Sequence, residues 1–388
     1  MRVYIGCFGS GLGHASRMLE VAGELASRGG KVEFSSSGEV VPLIEGRGFR
    51  CNRLPLADVS YSDSGAFQVK ETLLSTFSIL GKTCSQVALE TGNIGRFDPD
   101  AILSDSSLAT VLAGRARRIP TCTVLNQLNL TSTHQGGSAL SRLFSTGMSA
   151  SMGKLWELSD EVLLPDLPPP YTISERNLWG SSVEKTRYVG FLFSSDRGVP
   201  DEAAREFRAV TRPKVFWQVS GPPRTRKAFL DLAFELSEAL KEEYAFVISG
   251  GDPMGSASPR RFSGGWYYEW CSISDVYFGA SDVVVARAGH GTVSQAIAWS
   301  RPSLLVPIPR QPEQEGNADK AAKLGVAIVL QQSRLNASSL KESIGALLTE
   351  GYKGRVSRLG DLARRQNAKV AVVEALESAV NRARPIRH

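Results

Sequence analysis

Short apolar runs alternate along this chain with longer amphipathic stretches. In the first half the runs are Val3-Tyr-Ile-Gly6, Lys31-Val-Glu-Phe-Ser35, Ala101-Ile-Leu-Ser-Asp105, Thr121-Cys-Thr-Val-Leu125 and Glu161-Val-Leu-Leu164. A second series follows at Lys214-Val-Phe-Trp-Gln-Val219, Tyr244-Ala-Phe-Val-Ile248, Val283–Ala286, Ser303–Pro307 and Ala327-Ile-Val-Leu330. Continuous apolar runs suit strands buried on both faces, and helices between them imply parallel pairing. The pattern predicts an α/β protein of two Rossmann-like halves. Leu167-Pro-Pro-Pro-Tyr171 reads as an extended connector, since proline cannot sit inside either regular element. The boundary falls near residues 190–213, giving domains at 1–192 and 193–352 and a tail at 353–388. Leu359, Leu362, Val370, Val373, Leu376 and Val380 keep helical spacing, so the tail reads as one helix. The stretch from Gly65 to Gly95 also reads as helical, with Phe67, Leu73, Leu74, Phe77 and Leu80 as core or as an acceptor or membrane surface.

At 388 residues, 42% hydrophobic and 22% charged, the composition is that of a globular protein with room for two domains. No run approaches the ~20 apolar residues that span a bilayer. Arg2-Val-Tyr-Ile-Gly6 goes straight into a strand, unlike a signal peptide. Five scattered cysteines without C-x-x-C spacing suit reduced thiols in a cytoplasmic protein, with no disulfide frame or zinc site. The net charge of +6 is concentrated at the end: residues 351–388 hold nine basic and three acidic side chains, leaving 36 of each before them. That tail is either a solvated helix or a basic surface for peripheral contact at the inner face of the cell membrane. Nucleic-acid recognition motifs are absent, so no nucleic-acid partner is expected.

The densest chemistry lies in Arg287-Ala-Gly-His-Gly-Thr292-Val-Ser-Gln295, a small-residue turn opening a helix between two strands. Free N–H groups at such a helix start, with the positive dipole end, form an anion cradle, here Gly289, His290, Gly291 and Thr292. Ser220-Gly221-Pro222 ends another strand and precedes Arg224, Arg226 and Lys227, a second place for phosphate. Glu313-Gln314 pairs an acceptor with a donor and suits the vicinal hydroxyls of a sugar. Gly9-Ser-Gly-Leu-Gly13-His14 nearly matches a dinucleotide fingerprint, but His14 stands at the last glycine position, so no NAD cofactor is expected. The loop instead presents an imidazole at a helix start, suited to take a proton from a hydroxyl. Asp105, at another strand end, is placed to orient it. Asp98-Pro-Asp100 precedes a buried strand and reads as a turn, not a metal site.

Together these residues resemble the GT-B glycosyltransferases, above all the family 28 branch of the bacterial lipid II synthase MurG and its archaeal relatives. The resemblance rests on Arg287-Ala-Gly, Thr292, Pro302, Pro307, Glu313-Gln314, Asn317-Ala318 and Gly325 in that order, with the glycine loop through Gly13. It implies a GT-B fold: an acceptor-binding first half, a nucleotide-sugar-binding second half and a C-terminal helix crossing back onto the first. By position, Ser220, Gly221 and Arg226 would contact phosphates. The backbone of Trp270 or Cys271 would read the base, usually uracil, and Glu313 with Gln314 would hold the donor sugar. Gln295 stands where relatives often carry a ribose-binding glutamate. The loop ending His14-Ala-Ser-Arg17 departs from the MurG form, so its acceptor is not inherited. The implied activity is metal-independent, inverting transfer of a hexose, first N-acetylglucosamine, from a UDP-sugar to a hydroxyl or lipid-linked acceptor. A UDP-sugar 2-epimerase and a non-catalytic nucleotide-sugar-binding protein are the alternatives.

Overall fold

Each apolar run becomes a strand. The computed structural model describes residues 1–56, 76–127, 153–178, 185–194 and 198–383. In the first half, β1 (Arg2–Cys7), β2 (Lys31–Ser36), β3 (Cys51–Arg53), β4 (Ala101–Asp105), β5 (Thr121–Val124), β6 (Glu161–Leu164) and β7 (Thr186–Tyr188) form one parallel sheet. Its order is β3-β2-β1-β4-β5-β6-β7. In the second half, β8 (Lys214–Gln218), β9 (Ala245–Ser249), β10 (Arg260–Phe262), β11 (Gly265–Tyr268), β12 (Val283–Ala286), β13 (Ser303–Leu305) and β14 (Ala327–Val329) form the order β10-β11-β9-β8-β12-β13-β14. All of its pairs are parallel except β10 with β11.

Four strands escape the apolar pattern: β3, β7 and the β10–β11 hairpin. Three of them are sheet edges of three residues each, with polar sequences such as Cys-Asn-Arg and Thr-Arg-Tyr. An edge can be polar because less of it is buried, and these three are, whereas the edge strand β14 (Ala-Ile-Val) keeps its apolar run.

Helix Leu12–Ser27 buries Met18, Val21, Ala22 and Leu25 against Val3, Ile5 and Leu103 of the first sheet. On the other face Ile94, from helix Thr76–Phe97, packs with Ala113, Tyr4 and Ile102. Of the apolar stretch after Gly65, Phe67, Leu73, Leu74 and the side chains of Phe77 and Leu80 lie outside the described residues. The second sheet has its own core, in which Trp217, Phe246 and Val285 meet Phe229, Leu236, Leu340 and Ile344.

The tail is two helices, not one. Glu350–Arg365 packs Val356, Leu359 and Ala363 on the second half, beside Val293 and Ile297. The chain turns extended at Gln366, and helix Ala368–Ala383 then sets Val372, Val373, Leu376 and Ala379 into the first-half core. Each segment has its own buried face, and for that reason the apolar spacing runs on across the break. The turn lies against Gly190 (φ 90°), where a Cβ would meet Gln366 Oε1 at 2.5 Å. The chain thus passes between its halves twice, side by side.

In each sheet the connections reverse direction beside a central strand, between β1 and β4 and between β8 and β12. Such switch points leave a crevice at the carboxyl ends of the strands. Both crevices open into one cleft.

Candidate active site

The first crevice is built around β1 and β4, whose last residues, Cys7 and Asp105, are register partners. The chain leaves β1 through a turn in which Gly11 has φ 82°, a left-handed conformation that glycine adopts without strain. Helix Leu12–Ser27 starts there and carries His14 in its first turn. His14 Nδ1 lies 2.9 Å from Oδ1 of Asp105, which is fully buried. One turn further on, Arg17 clamps the same carboxylate, Nε to Oδ2 at 2.5 Å and Nη2 to Oδ1. Burial alone would raise the Asp105 pKa, but Arg17 and His14 outweigh it and hold it at about 2. Arg17 Nη2 also lies 3.1 Å from His14 Nδ1. A guanidinium only donates and a carboxylate only accepts, so Nδ1 serves one of them. With Nδ1–H donated to the closer Asp105, the basic lone pair is on Nε2.

Four helices begin at the cleft, at Leu12, Leu108, Pro223 and His290, with neither a side-chain cap nor an acid in the first turn. Two helices away from the cleft are capped by side chains: Asp201 accepts from Ala204 N, and Asn336 forms a capping box with Ser339. The uncapped starts leave N–H donors and positive dipole ends facing the cleft, a setting for anions. A Cβ at Gly289 or Gly291 would meet nothing within 4 Å. The cleft encloses about 1340 Å³. Its first-half wall is Gly9–His14 with Gly13 exposed, Ser106–Ala109 and Asn126; opposite lie Ser220–Pro222, Trp270–Asp275, Gly289–Thr292, Gln295 and Gln311–Gln314.

Two expected donor-site residues are not on this wall. Arg287 is 1% exposed and braces the sheet from behind. It donates to Val306 O (3.1 Å) and Gln332 Oε1 (2.7 Å) and stacks over Phe229 at 4.1 Å. Burial lowers its pKa to about 9. Arg226 is spent on Gly251 O and, across the halves, on Glu39 Oε2 at 2.6 Å. Arg226 reads from sequence as a phosphate ligand and Arg287 as part of the nucleotide-sugar site because a cation near glycines looks alike whether it faces a ligand or a structural acceptor.

Others reach the cleft with part of their capacity already used. His290 Nε2 is 3.1 Å from Asp166 Oδ2, a buried carboxylate that also accepts from Leu167, Ile173 and Ser174 backbone N–H. Gln314 Oε1 accepts from Ile308 N (2.9 Å), and Trp270 N–H donates to Ser256 O (3.1 Å). Gln295 Nε2 donates to Asp275 Oδ1. Burial raises the Asp275 pKa to about 6, with Ser194 and Gln295 pulling it down.

Asp275, Arg17 and Asn126 belong to the site although no sequence motif marks them as such. Arg17 did carry a signal, since i and i+3 share a helix face and His14 is already singled out. Asp275 looks like any first-turn acid, and Asn126 has no motif. Among the described residues no group of three His, Cys, Asp or Glu side chains stands close enough to hold a metal ion, and no helix is long and apolar enough to cross a membrane. Asp100 Oδ2 accepts from Arg2 N at 2.7 Å, the turn role expected of Asp98-Pro-Asp100.

Residues 227–366 match the glycosyltransferase family 28 C-terminal domain, and residues 1–146 match glycosyl transferase family 1. An uncharacterized glycosyltransferase of Methanosarcina mazei is 27% identical over 97% of this chain and 98% of its own length. The UDP-N-acetylglucosamine–N-acetylmuramyl-(pentapeptide) pyrophosphoryl-undecaprenol N-acetylglucosamine transferase of Methylococcus capsulatus is 40% identical over 75 residues, 19% of this chain and 21% of that one. The crystal structure of the Streptomyces sp. SF2575 glycosyltransferase SsfS6 with thymidine diphosphate superposes with a TM-score of 0.66 at 17% identity, covering 96% of this chain and 99% of that one. Family matches in both halves, an archaeal relative similar from end to end and the shared fold make this chain a GT-B glycosyltransferase with a family 28 type C-terminal half.

Proposed function

We propose that the enzyme transfers a hexose, N-acetylglucosamine first among candidates, from a UDP-sugar to a hydroxyl acceptor, with inversion and without a metal ion. The observation that carries this reading is the convergence of four uncapped helix starts on one cleft. The acceptor binds in the first domain, 1–192, and the donor in the second, 193–352. His14 Nε2 takes the acceptor proton while the new C–O bond forms at the anomeric carbon and the bond to the diphosphate oxygen breaks. Asp105 keeps the imidazole in the accepting tautomer. The amides of Gly289–Thr292, with Ser220 and Gly221, hold the departing diphosphate; losing one such preorganised donor costs about 10²–10³ in rate.

Glu313 and Gln314 hold the donor sugar, and the backbone at Trp270 and Cys271 reads the base. The ribose diol meets the Asp275–Gln295 pair, so the carboxylate absent at position 295 is supplied from the neighbouring helix. A lipid-linked acceptor at the inner face of the membrane suits the basic tail and the name of the Methylococcus relative.

A thermal-shift panel of UDP, thymidine diphosphate, GDP and their sugars tests the donor. A ligand at 100 times its Kd stabilises by about 2.7 kcal/mol, so UDP compounds should raise the midpoint by several degrees; stabilisation by GDP compounds alone rejects the assignment. In the same panel His14→Ala should keep the UDP shift, and in a sugar-transfer assay it should lose about 10²–10⁴ in turnover. Turnover within a few-fold of wild type would remove His14 from the role of base.

A further inference from the structure

Asn126, two residues beyond the end of β5 and 5% exposed, bridges the halves through its side-chain amide. Its Oδ1 accepts from Arg17 Nη1 at 3.0 Å, and its Nδ2 donates to Glu313 Oε1 at 3.0 Å. Arg17 in turn clamps Asp105, which holds His14. One hydrogen-bonded chain, buried at Asp105, Arg17 and Asn126, therefore runs His14–Asp105–Arg17–Asn126–Glu313, from the first-half imidazole to a second-half carboxylate. Its polarity is fixed by chemistry: Arg17 offers only donors and ionised Glu313 only acceptors. An amide is the group that accepts from one and donates to the other at this size. Glu313 keeps Oε2 for another partner.

We propose that Arg17 and Asn126 are positioning residues that couple the donor-sugar site to the base. The Asn126–Glu313 bond exists only while the halves stand as they do here. It sets the amide, the amide sets the Arg17 fork, and the fork sets the carboxylate that orients His14. The imidazole is thereby held for proton transfer when the sugar-binding carboxylate of the other half is in place. This rests on the reading of His14 as base and Glu313 as sugar ligand.

The polarity supplies the test. Asn126→Asp keeps size and the bond from Arg17 but sets two carboxylates against each other. Adding Glu313→Gln lets position 313 donate to Asp at 126 and restores the bond with its direction reversed. In the wild-type background Asn126→Asp should slow turnover at least tenfold, shift the acid limb of the kcat/KM pH profile and leave unchanged the Kd for UDP, which carries no sugar. In the Glu313→Gln background the same substitution should leave turnover level or raise it. Equal loss of turnover in both backgrounds, or an unmoved acid limb, overturns the coupling. The underlying reading fails separately, if His14→Ala keeps its turnover or Glu313→Gln alone leaves the donor KM unchanged.

Discussion

Asp105, buried beneath the cleft, and Asp275, half-buried on its wall, answer pH in opposite senses. Asp105 is held at about 2, so the unfolded chain takes up its proton first as pH falls. Its contribution to stability is complete above about pH 4 and lost on descending through 2. Asp275 is raised to about 6, with Glu20 adding to the shift and Arg47 opposing it from the first half. The folded form keeps this proton longer than the unfolded one, so its contribution is complete below about pH 4 and lost as pH rises through 6. With the ribose on Asp275 as proposed, ligand binding runs the other way, because a ribose hydroxyl donates best to the ionised carboxylate. Donor affinity, measured by titration of UDP between pH 5 and 8, should weaken as pH drops through about 6. In Asp275→Asn that inflection should vanish; its persistence would assign it to another group. From sequence, His14 and Asp105 are legible because strand ends and glycine turns mark where side chains meet ligands. The arginines mislead, since only tertiary partners such as Glu39 and Gln332 reveal what Arg226 and Arg287 face.

Among elements, the helix starts separate binding from folding. Gly291 lies in the first turn of helix His290–Ala298, and a methyl group there would touch no protein atom. Alanine is the better helix former by about 1 kcal/mol, so Gly291→Ala should unfold at the same temperature or slightly higher. On the proposed donor site the same methyl would stand where backbone N–H groups approach the diphosphate, and the donor KM should rise more than tenfold. An unchanged KM would show that the ligand does not approach this turn. The ten apolar strands are legible because burial on both faces leaves an uninterrupted hydrophobic run. The polar edge strands β3, β7 and β10 and the break at Gln366 are not, since polar triplets and a helix period that continues across a turn carry no local mark.

For the molecule as a whole, the last helix belongs to the first core. A chain ended at Arg365 would lose Val372, Val373 and Leu376 from that core. At about 1.5–3 kcal/mol per large side chain, the loss rivals the ~5–15 kcal/mol that stabilises a typical domain. Hydrogen exchange on such a truncation should show protection gone from β1–β7 and kept in β8–β14; protection retained in the first sheet would mean its core closes without the helix. The same arrangement bears on synthesis. The first sheet leaves the ribosome early, yet the helix that completes it, Ala368–Ala383, is made only after the whole second half. The second half can settle while the first still waits with an open apolar face. If the truncation loses that protection, folding order runs opposite to birth order, and the waiting half is the one a chaperone would have most reason to hold.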